Sequence, residues 1–457
     1  WNDVGYHEAT NAYTPTLDAL KKEALELNRF YVYSKCAPTR SSFWTGNQAH
    51  RNSMQHKVGL TSQMACGIKP SSSNLFWPQR LESCQNYQHH LIGKWHVGFF
   101  EWEQTPTFRG FDSFLGFYQS SVDYFTLQAD RFVDYHLDTT VIQPTTGDYA
   151  TNIWADRAIH LIQEIAASTD PQPFTLTVMF NAPHAPIHSI QPYLAQAMQN
   201  KVFSGDSQNR ISYVSMLRAM DARIADIITA LKGETINGEP IWDNTWLWFF
   251  SDNGPVTSNG NAYPLRGGKA TLFEGGIRAP ALVAGGLLPS ALQGTSTDQL
   301  VHITDIYPTL CTQSGADCSD LQLDGMDLTA LLTNTAGLTG LENRQIVLNV
   351  DATDCAGQYN GATVCGGVVK DYGQHGIFKA VIGNQITGSS SKFGWVELGS
   401  QSYQNAPTVN CGGTQPDFNR RFLNNDCANN NRVCLFNLAT DPCEYQDLSG
   451  DAAYSDI

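Results

Sequence analysis

Positive charge is scarce in this 457-residue chain. Its 28 Lys and Arg stand against 43 Asp and Glu, a formal net charge of −15. No Lys/Arg-rich tract interrupts that balance, which argues against a nucleic-acid partner and against attachment to an anionic membrane. No apolar run approaches the ~18 residues that a spanning helix needs, so no membrane span is expected. No Cys-x-x-Cys pair occurs, which makes a zinc site unexpected. Internal repeats and low-complexity tracts are missing too. So are an initiator methionine and a signal peptide: the chain starts abruptly at Trp1 and reads as processed or truncated.

What is present is core-forming material, 42% hydrophobic and 11% aromatic. "TPTLDALKKEALEL" (14 to 27) reads as a helix capped by Thr14, with Pro15 in the first turn and Leu17, Leu20, Ala24 and Leu27 on one face. "RFYVYS" follows as a short strand. "ATNIWADRAIHLIQEIAAS" and "ISYVSMLRAMDARIADIITALK" read as amphipathic helices, whereas "FTLTVMF", "TWLWFF" and "APALVAGG" read as buried strands. Strands alternating with long helices predict an α/β layered sheet over residues 1–335. Beyond about residue 335 helical periodicity disappears, and Gly, Asn, Ser and Cys accumulate. A smaller, disulfide-braced, strand-rich domain is expected over 336–457.

Eleven cysteines are an odd number. Five disulfides in an oxidising compartment, with Cys36 left over, is the simplest reading. Short separations favour Cys311 with Cys318, Cys355 with Cys365 and Cys427 with Cys434, although spacing alone leaves connectivity open.

The buried runs end in reactive residues. "RFYVYS" leads to Cys36, "HHLIG" to Lys94 and His96, "FTLTVMF" to His184, and "TWLWFFS" to Asp252 and Asn253. Ligands of open α/β sheets bind outside the carboxyl ends of the strands, so four segments deliver complementary chemistry to one edge. Polar residues also follow strands simply because loops do, which for any single segment is the better explanation. In "SKCAPTRSSFWTG", Pro38 suits the first turn of a helix whose entrance Cys36 occupies, where free N–H groups and the dipole favour an anion. Arg40, four residues on, adds a permanent charge beside it. "FFSDNGP" offers two adjacent oxygen donors suited to a hard cation such as calcium or magnesium, or an ordinary Asx turn. "LRGGKATLFEGGIRAP" brings Arg266 and Lys269 in a glycine-rich loop.

Taken together these strings resemble one family. "CAPTRSSFWTG" is similar to the sulfatase signature Cys-x-Pro-Ser/Thr-Arg-x-x-x-x-Thr-Gly, whose cysteine is oxidised after translation to formylglycine. "GKWHVG", "NAPHAPIH", "SDNGP", "GGKATLFEGGIRAP" and "HITDIYPTL" resemble further family blocks in the family's order. "WNDVGYHEATNAYTPTLDAL" and "CLFNLATDPCEYQDLS" most resemble the arylsulfatase B-like branch. Position 39 is Thr where many members have Ser, and the Cys-x-Pro-x-Arg core is intact.

The resemblance implies a large mixed-sheet α/β/α sandwich of the alkaline phosphatase superfamily type with a smaller C-terminal α+β domain. It implies a sulfuric ester hydrolase with formylglycine at Cys36, made by the formylglycine-generating enzyme, and Ca2+, with Mg2+ as the alternative, held by the modified Cys36, Asp252 and Asn253. Arg40 would hold the hydrated aldehyde, and Lys94 and Lys269 would bind sulfate oxygens. His184 would protonate the leaving alcohol, and His96 would be the base for the second hydroxyl. Family members also carry paired aspartates just before the "GWNDVG" block; the sequence starts inside that block, so both carboxylates are expected upstream of it, and Asp3 is neither of them. The expected substrate is a sulfated carbohydrate or a small aryl sulfate, and the expected location is the secretory pathway, extracellular or lysosomal. Two alternatives stand beside this: a phosphate or phosphonate ester hydrolase of the same superfamily, and a non-catalytic glycan-binding relative.

Overall fold

The structure, a computed structural model, describes residues 1–7, 12–55, 66–82, 87–200, 207–333, 341, 343–351, 365–382, 433–455 and 457. Two hydrogen-bonded groups of strands form its centre. In the first, strand Gln88–Lys94 lies between strands Ser113–Phe117 and Phe174–Met179, parallel to both, and His136–Leu137 and Thr140–Val141 extend the sheet in antiparallel fashion. In the second, strand Ala281–Ala284 lies antiparallel between Leu247–Phe250 and Leu25–Leu27. The next residues along continue that second group, because Phe30–Tyr31 pairs with Arg278–Ala279 and with Val301–His302.

Alternation along the strands assigns each side chain to a layer, since successive residues point to opposite faces. Leu91 and Phe114 join one apolar cluster with Trp44, Trp77 and Tyr307, whereas Ile92, Leu115 and Phe117 join another with Trp154, Leu161 and Met216. Both faces are therefore covered. Helices Cys36–Thr45, Trp77–Glu82 and Ile306–Ser314 supply one layer; Ala150–Ala166 and Gln208–Gly233 supply the other. The result is the mixed α/β sandwich implied by the sequence. Its C-terminal companion is an antiparallel sheet in the order Gln345–Asp351, Cys365–Asp371, Ile377–Ile382, Val433–Asn437. The division expected near residue 335 lies outside the described residues.

Three expectations change. The helix expected over 14–27 is only Pro15–Lys21, and Leu25–Leu27 is a strand. The segment "LEL" also alternates with period two: Leu25 and Leu27 are buried, and Glu26 points the other way, 2.8 Å from His7 Nε2. Two strand partners, Val283 and Thr297, outweigh the local helical preference. Thr14 makes no cap bond to the helix; its Oγ1 accepts from the Gly5 amide instead. Cys311 and Cys318 are bonded as expected, and Cys434 and Cys443 are also in disulfides. Cys66, however, is an exposed free thiol, so the five-bridge expectation fails. An odd count cannot say which cysteine stays unpaired. The pairs expected for Cys355 and Cys427 lie outside the described residues.

Two buried histidines make stability pH-dependent. His89 Nδ1 lies 2.8 Å from Thr175 Oγ1, and His302 Nδ1 lies 2.8 Å from Thr304 Oγ1. Burial, above all, pushes His89 down to about 4 and His302 to about 3. An unfolded chain protonates both near pH 6.5, whereas the folded chain does so only far lower. Between those values the unfolded state binds more protons, so stability is lost as pH falls below about 6.5, at roughly 1.4 kcal/mol per unit for each group. Urea unfolding midpoints are expected to drop between pH 7 and pH 5, and His302→Gln to remove part of that slope. A flat midpoint, or an unchanged slope in the variant, would contradict this.

Candidate active site

Helix Cys36–Thr45 begins at the thiol and is buried along its entire length. Trp44 anchors it, with ring centroids 5.5 Å from Trp77, 5.7 Å from Trp95 and 5.2 Å from Phe111. Thr39 Oγ1 bonds back to the carbonyl of Lys35 and accepts from the Tyr33 amide, which ties the helix entrance to the preceding strand. Cys36 thus sits at a fixed point with the first helical N–H groups around it.

Strand Gln88–Lys94 brings up two further residues. Gly93, at φ 93°, lets the neighbouring strand approach; a Cβ there would lie 2.2 Å from the Met179 carbonyl oxygen. Lys94 ends the strand, buried, and His96 follows at φ 61° with its amide 3.0 Å from the Tyr118 carbonyl. Both ring nitrogens of His96 are buried without a well-formed hydrogen bond. His184 comes from the loop after Phe174–Met179. Its Nδ1 lies 2.8 Å from the Ala185 carbonyl oxygen, which can only accept, so that nitrogen carries hydrogen and Nε2 is left for other work. Tyr124 Oη donates to the His184 carbonyl at 2.9 Å and steadies the loop.

Arg40 stitches these pieces together. Its Nη1 donates to the Lys94 carbonyl at 2.7 Å, while Nε and Nη2 each approach Asp252 Oδ2 to 3.0 Å. Asn253 turns its amide nitrogen to the Gly254 carbonyl, leaving Oδ1 buried and without a partner. Lys269 arrives from the turn after residue 266, with Nζ 3.4 Å from Cys36 Sγ. Its amide bonds to the Pro255 carbonyl, and Ala270, at φ 69°, bonds to that of Ser34.

The electrostatics follow from this convergence. Burial would raise the Cys36 thiol, yet the charges of Lys94 and Lys269, with smaller pulls from the nearby His184 and His96 rings, bring it well below the ordinary thiol range. Lys94 is pushed down to about 8, first by burial and then by Arg40 and Lys269. His96 is pushed down to about 4 by burial and Lys94, so it is a neutral imidazole at neutral pH. Burial opposes the charge on Lys269, but Cys36 and Asp252 raise it above the usual lysine value. A buried pocket with three cations and one anchored carboxylate is built for a tetrahedral anion.

Cys36, Arg40, Lys94, His96, His184, Asp252 and Lys269 therefore meet at one place, and Asn253 adjoins them. Arg266 does not join them: its guanidinium lies over the Phe273 ring at 4.0 Å. Asp3 is likewise occupied elsewhere, with Oδ1 2.6 Å from Arg210 Nη1. Tyr124 carried no signal in the sequence, because its role depends on a fold contact 60 residues away.

For a hard cation the donor set is a partial fit. The orphaned Asn253 Oδ1 and the Asp252 carboxylate are oxygen donors of the right kind, whereas calcium takes about six to eight oxygens. Among the described residues no group of three His, Cys, Asp or Glu converges as a metal cluster.

The sandwich with its C-terminal antiparallel sheet is a mixed α/β fold of the sulfatase and alkaline phosphatase-like kind. A profile of the sulfatase family matches residues 1–316, and the chain belongs to the sulfatase family. Arylsulfatase J of Mus musculus is 32% identical over 98% of this chain and 71% of its own length. N-acetylgalactosamine-6-sulfatase of Homo sapiens is 27% identical over 72% of this chain, which spans 62% of that protein. Among solved structures, Ps i-CgsB superposes with a TM-score of 0.73 at 22% identity, covering 99% of this chain and 87% of that one. The phosphonate monoester hydrolase of Agrobacterium radiobacter gives 0.57 at 15% identity, covering 99% and 90%.

Proposed function

We propose that the protein is an arylsulfatase-type hydrolase of sulfuric esters, related to the arylsulfatase B-like branch, which uses formylglycine at position 36. The observation that carries this reading is the ring of Lys94, Lys269, His96 and His184 around Cys36. In the active form the Cys36 sulfur would give way to a hydrated aldehyde, which supplies two hydroxyls at position 36. One hydroxyl oxygen, its proton released to water, would attack sulfur and form the O–S bond as the ester S–O bond breaks and the ester oxygen departs with the Nε2 proton of a doubly protonated His184. His96, neutral, then takes the proton of the second hydroxyl; the carbon–oxygen bond to sulfate breaks, sulfate leaves, and the aldehyde returns. Lys94 and Lys269 bind the sulfate oxygens throughout, and Arg40 holds the hydrated side chain. Asp252, Asn253 and the modified residue 36 would hold a calcium ion, which when bound supplies positive charge that acidifies the attacking hydroxyl.

The substrate we infer is a sulfated sugar: one relative is named for N-acetylgalactosamine 6-sulfate chemistry, and Ps i-CgsB was solved with k-i-k-neocarrahexaose. The disulfide at Cys311–Cys318 supports passage through the secretory pathway, to the lysosome or outside the cell, where the formylglycine-generating enzyme would act. We also read residues 336–457 as a domain of their own. Mass spectrometry of the peptide containing residue 36 is expected to show aldehyde in place of thiol. The same protein is expected to turn over 4-nitrophenyl sulfate at least about a hundredfold faster than 4-nitrophenyl phosphate, a transition-state preference of roughly 3 kcal/mol. The reverse ratio would make it a phosphate ester hydrolase, and no turnover of either ester would leave the glycan-binding reading.

A further inference from the structure

The loop that carries Lys269 is held from outside the catalytic sheet. Gly275 donates to the Arg266 carbonyl at 2.7 Å, Gly276 to that of Phe273 at 2.8 Å, and Gly254 to that of Gly276 at 2.9 Å. The turn is so tight that a Cβ on Gly276 would lie 2.2 Å from the Thr271 carbonyl oxygen. It folds directly onto the segment bearing Asp252 and Asn253. Glu274, fully buried, sits at its far end and opens the short helix Glu274–Ile277.

Among the described residues, no pocket side chain bonds to Glu274. Its backbone amide donates to Glu444 Oε2 at 2.7 Å. Its Oε1 accepts from Lys379 Nζ at 3.1 Å, and Lys379 Nζ also lies 2.7 Å from Glu444 Oε1. Tyr31 Oη donates to its second oxygen at 3.0 Å, and Arg278 stands 3.8 Å away. Lys379, Glu274 and Glu444 are each wholly inaccessible to solvent. Lys379 belongs to strand Ile377–Ile382 of the C-terminal sheet, and Glu444 follows strand Val433–Asn437 in a left-handed conformation at φ 59°. A buried three-membered ion cluster therefore joins the C-terminal sheet to the lysine turn. Loss of Glu444 would leave the Glu274 amide without its buried acceptor and Lys379 with Glu274 as its remaining carboxylate, which loosens the attachment of the turn.

We propose that Glu444 and Lys379 are positioning residues for sulfate-ester hydrolysis: through Glu274 they fix the 266–276 turn so that Lys269 Nζ meets the side chain at position 36. This rests on the hydrolase reading of the same pocket. Neither residue touches substrate. They act through the placement of one cation, for which a displacement of about 1 Å costs about a hundredfold in rate.

The test pairs steady-state kinetics on 4-nitrophenyl sulfate with hydrogen exchange of the peptide spanning 266–276, in the full chain. Glu444→Ala is expected to lower kcat about tenfold or more. The amides of 266–276 are expected to exchange about tenfold faster in that variant, while those of helix Ala150–Ala166 keep their protection. Glu444→Gln retains an acceptor for the Glu274 amide and is expected to fall between parent and alanine variant in both readouts. It also carries the test should the alanine variant fail to fold. Parent-like turnover in Glu444→Ala would overturn the proposal. So would a loss of turnover with 266–276 exchanging as in the parent, or with every helix exchanging faster alike. An inactive parent enzyme would overturn the hydrolase reading instead, and the exchange of 266–276 would still decide whether Glu444 positions the turn.

Discussion

Cys36→Ala is expected to lower kcat for 4-nitrophenyl sulfate by roughly four orders of magnitude or more, because the variant lacks the side chain proposed to form the covalent intermediate. The fold should survive. Cys36 begins its helix, is only 7% exposed, and loses a single sulfur on substitution, a cavity cost of about 1 kcal/mol. The pocket then faces one carboxylate, Asp252, with Arg40, Lys94 and Lys269. Inorganic sulfate should therefore still bind and raise the melting temperature of the variant. That separates binding from chemistry: lost turnover with retained sulfate stabilisation supports the nucleophile. Residual turnover within tenfold of the parent enzyme would show that residue 36 is a bystander.

Lys269→Ala carries the second-largest expected effect, a fall of about 10²–10³ in kcat/KM, as for other preorganised donors to a developing negative charge. Its ammonium lies 3.4 Å from Cys36 Sγ and is among the strongest influences on that sulfur, with Lys94 ahead of it. Lys269→Arg should not restore the rate, since backbone bonds from residues 269 and 270 to the Pro255 and Ser34 carbonyls fix where the side chain starts, and a longer planar fork does not place its charge where a compact ammonium does. Inhibition by inorganic sulfate should weaken in parallel. A variant within threefold of the parent enzyme on both measures would remove Lys269 from the site.

Much of this pocket was legible before any coordinates because its parts lie at the ends of recognisable strands. Lys94 closes an apolar run, Cys36 opens a helix with Pro38 in its first turn, and Gly46 stops that helix at φ 65°. Such signals are local, and the chain supplies them within a few residues. Leu25–Leu27 failed the same test, because three residues fit two periods and the choice fell to partners more than 250 residues away. Tyr124 and Cys66 gave no local cue at all. The Glu274–Lys379–Glu444 cluster was beyond reach for the same reason: its members are separated by 105 and 170 residues, and only the packed C-terminal sheet brings them together.

The complete enclosure of Cys36–Thr45 has a temporal consequence. If residue 36 is oxidised as proposed, the catalyst must reach a thiol whose helix is buried at every position and anchored by Trp44 against Trp77, Trp95 and Phe111. On that proposal the segment would be presented while still extended, and maturation and folding would run as a race. A chain that closed first would keep its thiol inside the folded protein.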